Sequence, residues 1–180
     1  MEEPRFQYEK QNVIKAIVEN TEGKILLIQE PETNEWMPGH WGLPGGKPVE
    51  KESLYEAFKR KIKEELGEDL EPSGIFKIEE LLIGGRTVFM YHVVCRAKDG
   101  IKPKGESKGF KWVGIEEIGL MDTAEFTEFF NKELLLNYLT GNRETVDFDL
   151  IETQFYYDMH ENPEYKKWLD SGKKDDKPKG

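Results

Sequence analysis

The sequence predicts an α/β domain, a mixed β-sheet sandwiched between helices. Two pairs of β-rich runs flank a strongly amphipathic helical stretch, a short strand follows the second pair, and another helical pattern comes after it. Strands on both sides of a helix, with hairpins among them, give a sheet of mixed direction whose faces the helices cover. At 180 residues the chain holds one well-buried core and an appendage, and two full domains would be crowded. The expected organisation is a domain over residues 1–140, an extension over 141–170 packing on the domain or on a partner subunit, and a disordered tail over 171–180.

The first pair is "NVIKAIVEN" and "KILLIQE", separated by "TEG", which reads as a hairpin over about residues 12–30. The loop "PETNEWMPGHWGLPGG" follows, and its length and two tryptophans mark it as functional. From Glu52 to Leu66 apolar residues recur every three or four positions, and Gly67 stops the helix. "IFKIEELLI" and "RTVFMYHVVCRA" form a second strand pair around Gly84-Gly85. "KDGIKPKGESKG" is a basic, glycine-rich connection, and "FKWVGI" returns as a short strand. A helix is expected from Asp122 to about Thr140, with Asp122 and Glu125 in capping-box spacing and Phe126, Phe130 and Leu134 on one stripe. Phe129 and Phe130 read as core. The aromatic extension after Gly141 has no clear period, and Tyr156 and Tyr157 are candidates for a homodimer interface.

Composition excludes several classes. No run of eighteen apolar residues exists to span a membrane. The polar opening "MEEPRFQYEKQN" carries no secretory pattern, so cytoplasmic residence is expected. One cysteine, Cys95, excludes an internal disulfide and a multi-thiolate zinc site. A net charge of −10 argues against a nucleic acid polymer as partner, although a divalent cation would let an acidic protein handle a smaller polyanion. His40, His92 and His160 show no ligand spacing, and no Gly-x-Ser-x-Gly motif supplies an acyl-transfer nucleophile.

The first helix carries the chemistry. With Lys61 at zero and about 100° per residue, Leu54, Tyr55, Phe58, Ile62 and Leu66 lie between about 20° and 140°, Glu65 at about 40° and Glu64 at about 300°. Glu65 therefore stands inside the apolar stripe, and Glu64 on its shoulder. A buried carboxylate needs a partner, a cation or a raised pKa. A salt bridge to Lys61, one turn back, is the purely structural explanation. Gly45 and Gly46 just before the helix favour another: close backbone approach leaves a carbonyl beside two carboxylates, an oxygen set suited to Mg²⁺ or Mn²⁺. Such a cation takes substrate phosphates as further ligands, which implies a polyphosphate.

Gly46, five residues, Glu52, seven residues, Arg60, then Ile62, Glu64, Glu65 and Gly67 resembles the Nudix box, the signature of the Nudix hydrolases. "WGLPGG" before it and the order of elements from 12 to about 140 are similar to the α/β/α Nudix fold. The resemblance implies that Glu64 and Glu65 bind the cations, Mg²⁺ or alternatively Mn²⁺, with the Gly46 carbonyl assisting. It implies that Arg60 and Glu52 form an orienting pair, and that Glu106 is a further ligand or base. Lys102 and Lys104 would meet phosphate oxygens, and Trp36 would stack on a base. Lys61 departs from the pattern, which has Glu there.

The implied activity is Mg²⁺-dependent hydrolysis of a nucleoside diphosphate linked to another moiety, by attack of water at phosphorus. Two alternatives stand beside it: an impaired Nudix domain that binds a nucleotide without turnover, which Lys61 favours, and a nucleotide-sugar hydrolase attacking carbon.

Overall fold

The computed structural model describes residues 9–34, 37–98, 100–104, 107–141, 143–148 and 167. Trp36, Glu106, Tyr156, Tyr157, His160, most of the extension after 141 and the tail over 171–180 lie outside the described residues. Along the chain run β1 (Glu9–Glu19), β2 (Ile25–Gln29), β3 (Trp41–Gly42), β4 (Gly45–Gly46), α1 (Leu54–Leu66), β5 (Pro72–Ile83), β6 (Arg86–Arg96), β7 (Gly109–Val113), α2 (Ile115–Leu120), a 3₁₀ turn (Thr123–Glu125) and α3 (Asn131–Thr140). The described strands form one mixed sheet, as expected for an α/β fold.

The expected hairpin of β1 and β2 forms only at its turn. The two strands pair at Glu19↔Ile25 and then splay. β1 instead runs parallel to β6 over its whole length, from Glu9↔Arg86 to Glu19↔Arg96, while β2 pairs with β7 from Ile25↔Val113 to Gln29↔Gly109. The glycine strand β4 fills the opening, pairing Ile14↔Gly46 and Lys15↔Gly45. Only glycine fits there: Gly45 has φ 149°, and a Cβ on it would lie 2.0 Å from the Ile14 carbonyl oxygen. The splay thus brings the glycine pair against the middle of the sheet, beside α1.

Side chains of β1 alternate between two apolar layers, as the period of a strand dictates. Ile14, Ala16 and Val18 meet Ala57, Phe58, Ile62 and Leu66 of α1. Ile17 meets Ile25, Leu27 and Val94 under Ile118, Leu134, Leu135 and Tyr138 of α2 and α3. Burial of one such side chain contributes about 1.5–3 kcal/mol. α1 begins at a capping box, in which Ser53 Oγ accepts from the Glu56 N–H at 3.1 Å and Glu56 Oε2 accepts from the Ser53 N–H at 2.9 Å. It ends at Gly67, left-handed with φ 71°. Leu70 joins the layer beneath α1. Cys95 is buried in the same layer, and burial pushes its thiol up to about 12.

The helix expected from Asp122 to Thr140 is interrupted. Asp122 and Glu125 do make a capping box, but it caps one 3₁₀ turn. Phe126 is extended and buried, and the Thr127 N–H donates to the Trp41 carbonyl at 2.9 Å. Anchoring to β3 pulls the chain out of the helix until α3 restarts at Asn131. The break also removes Phe129 from the core: it is 78% exposed, because its burial required one continuous helical stripe. Ile115, expected to end the short strand, instead begins the helix Ile115–Leu120, with the Gly114 N–H donating to Glu117 Oε2 at 2.6 Å.

After α3, Val146 exchanges backbone hydrogen bonds with Ile75, at 2.7 and 2.9 Å. Phe148 is buried in the α1 layer, its ring centroid 6.3 Å from that of Tyr55. Among the described residues no helix is long and apolar enough to cross a membrane.

Candidate functional site

α1 presents Glu65 to the glycine strand. Glu65 Oε2 accepts a hydrogen bond from the Gly45 N–H at 2.9 Å, so the splay of β1 from β2 supplies the first polar partner of this carboxylate. The side chain is half-buried. Burial pushes its pKa up to about 7, the nearby Glu30 adding to the rise, against the Gly45 N–H and the more distant charges of Lys61 and Lys15.

Lys61 does not pair with Glu65. Its Nζ lies 3.1 Å from Glu64 Oε2, and Arg60 approaches Glu64 Oε1 from the other side at 3.2 Å. Lys61 first, and then Arg60, hold the Glu64 carboxyl below the usual range despite partial desolvation. The two adjacent acids of the helix thus differ: the outer one is paired with two cations, and the inner one, among the described residues, faces a single backbone donor.

Arg60 and Glu52 pair as expected. Arg60 Nε donates to Glu52 Oε1 at 2.7 Å and Nη2 to Oε2 at 2.8 Å, a bidentate bridge. Nη2 also donates to the Lys47 carbonyl at 3.1 Å, and Glu52 Oε2 accepts from the Val49 N–H at 2.9 Å. The loop between β4 and α1 is therefore tied to the helix. Arg60 chiefly holds the Glu52 carboxyl below its ordinary value.

Lys61, Glu64 and Glu65 form one wall of a cleft of about 490 Å³. Gln29, Glu30 and Asn34, from the end of β2 and the loop after it, form the opposite wall. Asn34 Nδ2 donates to Glu30 Oε2 at 2.6 Å. Sequence reasoning missed Glu30 and its neighbours. "KILLIQE" reads as an ordinary strand end, and only the β2–β7 and β2–β3 pairings swing that end across from α1.

The remaining expected residues divide. The Lys104 N–H donates to the Glu65 carbonyl at 2.9 Å, and its side chain lies over Gly67, where a Cβ would come within 2.7 Å of Lys104 Cδ. Lys102 lines a separate depression with Phe110 and Trp112. Trp41 packs on the layer beneath α2 and α3, with Lys111 Nζ 4.2 Å from its ring centroid. His92 is buried with Nε2 2.8 Å from Glu79 Oε2, and His40 Nδ1 is 2.8 Å from the Pro38 carbonyl. Glu106 and Trp36 lie outside the described residues.

Among the described residues no three His, Cys, Asp or Glu side chains converge into a closed metal cage. The carboxylates gather instead on the walls of an open cleft. Hard oxygens on an open wall fit Mg²⁺ or Mn²⁺, which keep several waters and complete their shell with phosphate, and do not fit zinc.

A model of the NUDIX domain matches residues 9–137. The chain is 32% identical over 68 residues to the 8-oxo-dGDP phosphatase NUDT18 of Danio rerio, covering 38% of this chain and 20% of the relative. It thus spans about a fifth of the length of that curated relative. It is 28% identical over 125 residues to the nucleoside triphosphatase NudI of Salmonella paratyphi B, covering 63% of this chain and 88% of NudI. The fold is similar to the crystal structure of the MutT protein from Methanosarcina mazei Go1, with a TM-score of 0.60, 28% identity and coverage of 73% and 97%. A NUDIX hydrolase from Nitrosomonas europaea, 18% identical with a TM-score of 0.65, shares the fold over 81% of this chain. The chain belongs to the NUDIX domain family.

Proposed function

We propose that this chain is a hydrolase that cleaves a phosphoanhydride bond in a nucleoside diphosphate derivative, with water attacking phosphorus and Mg²⁺ or Mn²⁺ assisting. The observation that carries the reading is Glu65. It is a half-buried carboxylate on the wall of a cleft, with one backbone donor and a pKa near 7, held there at a cost to stability. The relatives named for 8-oxo-dGDP and nucleoside triphosphates support the substrate class.

Glu65 would hold the cation, and Glu64 with the Gly46 carbonyl would offer the place of a second. When bound it would neutralise the phosphate oxygens and the leaving group. Arg60 and Glu52 act as positioning residues: their bidentate bridge fixes the glycine loop against α1 and sets the angle of Glu64. Glu64 or Glu106 would take the proton of the attacking water. Lys104 positions the backbone beside Glu65. Product release from a panel of nucleotides with and without Mg²⁺ tests the reading, with Glu65→Gln as the control that loses it.

A second reading has its own observation. The ion pairs of Glu64 with Lys61 and Arg60 lower the negative charge available to a cation, which favours a domain that binds nucleotide and releases nothing. In the same panel such a domain would show binding by calorimetry and no product. Attack at carbon would be seen by mass spectrometry of products formed in heavy-oxygen water.

A further inference from the structure

Lys61 lines the cleft beside Glu64 and Glu65. Its stem crosses Gly46 so closely that a Cβ on that glycine would come within 2.6 Å of Lys61 Cε and 3.4 Å of Nζ. The ammonium is 3.1 Å from Glu64 Oε2, and its side chain is 26% exposed. It is therefore wedged between the glycine strand and the outer carboxylate of the helix, the place where a small cation would find a carboxylate and a backbone turn together.

We propose that Lys61 is a tethered cation: its ammonium fills the place of one divalent ion between Gly46 and Glu64, and the cleft takes up fewer divalent ions in consequence. This inference rests on the reading of the cleft as a cation-assisted phosphate site. Two features of the surroundings support it. The lysine stem packs directly over Gly46, where a Cβ would meet its Cε at 2.6 Å and push this flexible end aside. Arg60, locked by Glu52, closes the other side of Glu64, so the ammonium and the guanidinium together complete its charge. A fixed positive charge repels an incoming divalent ion from Glu64 and leaves Glu65, across from Glu30, as the open position. An ammonium also carries three donors, of which one serves Glu64, so it can meet a phosphate oxygen where a metal ion would otherwise stand.

The test is a titration of the metal-freed full chain with Mn²⁺, reading the free ion by electron paramagnetic resonance. Lys61→Gln is expected to bind Mn²⁺ at least tenfold more tightly than the wild type, and Lys61→Glu to hold one ion more. Lys61→Arg, which keeps the charge, is expected to keep the wild-type count, and circular dichroism checks that each variant is folded. Equal counts and affinities in all four proteins would overturn the inference while leaving the proposed hydrolysis standing. Wild-type crystals with Mn²⁺ on Glu64 and the lysine turned away would do the same. Failure of every variant to bind Mn²⁺ would overturn both.

Discussion

Glu19 and Glu65 are two carboxylates taken out of water by the same sheet, and they are treated in opposite ways. Glu19, at the end of β1, is fully buried. It accepts from the Tyr138 hydroxyl at 2.8 Å, pairs with Arg96 at 2.7 Å and also pairs with Arg143. Three elements distant in sequence converge on it, and it fastens α3 and the segment after it to the sheet. Glu65 is less buried and yet worse served, with the Gly45 N–H as its one side-chain hydrogen bond among the described residues, while the adjacent cations turn to Glu64. A buried charge that holds a fold together is surrounded by donors. One left short of donors at a cleft is a strain the rest of the fold has to offset, which is the mark of a site kept for chemistry.

That contrast can be broken most sharply at Glu65. Glu65→Gln keeps an acceptor for Gly45 and removes the charge. It should lower Mg²⁺-dependent turnover by at least ~100-fold while leaving the circular dichroism spectrum unchanged; full retained turnover would detach α1 from the mechanism. Glu19→Ala should do the reverse. Loss of the carboxylate strands the Tyr138 hydroxyl and costs about 3 kcal/mol of stability in urea melts, with metal affinity unaltered.

A pH series sharpens the same comparison. Folded Glu65 keeps its proton up to about 7, whereas an unfolded glutamate loses it near 4.5. Between those values the folded state binds more protons, so stability falls as pH rises through the window. The metal-free wild type should lose about 2 kcal/mol between pH 5 and pH 8 relative to Glu65→Gln, measured by paired denaturation curves. The smallest effect is expected at Arg60→Lys. A lysine keeps the charge and loses the fork that grips both oxygens of Glu52, so turnover should drop about tenfold, roughly 1.4 kcal/mol in the barrier, with little change in melting temperature.

Helix α1 was legible because its signals are local. The period of Leu54, Phe58, Ile62 and Leu66 and the stop at Gly67 lie within one short stretch, and the motif in the same stretch implied the Arg60–Glu52 pair, while the Ser53–Glu56 cap went unread. The break at Phe126 was not legible. Asp122, Glu125 and the apolar stripe after them satisfy every local rule for one long helix, and the hydrogen bond from Thr127 to Trp41 that interrupts it comes from a strand far back in the chain. Phe129 followed the same error to the surface. Spacing left the partner of Lys61 open between Glu64 and Glu65, and the structure pairs it with Glu64.

The sequence alone marked Glu64 and Glu65 as the candidate residues, because a carboxylate within an apolar helical stripe beside two glycines can be read from the spacing of one segment. It also determined the family, through a pattern confined to that segment. Tertiary structure decided what those residues face. The splaying of β1 from β2 admits the glycine strand to Glu65 and swings Glu30 into the opposite wall. Those neighbours come from strand pairing between distant segments, whose energy depends on the whole sheet and leaves no mark in any one stretch of chain.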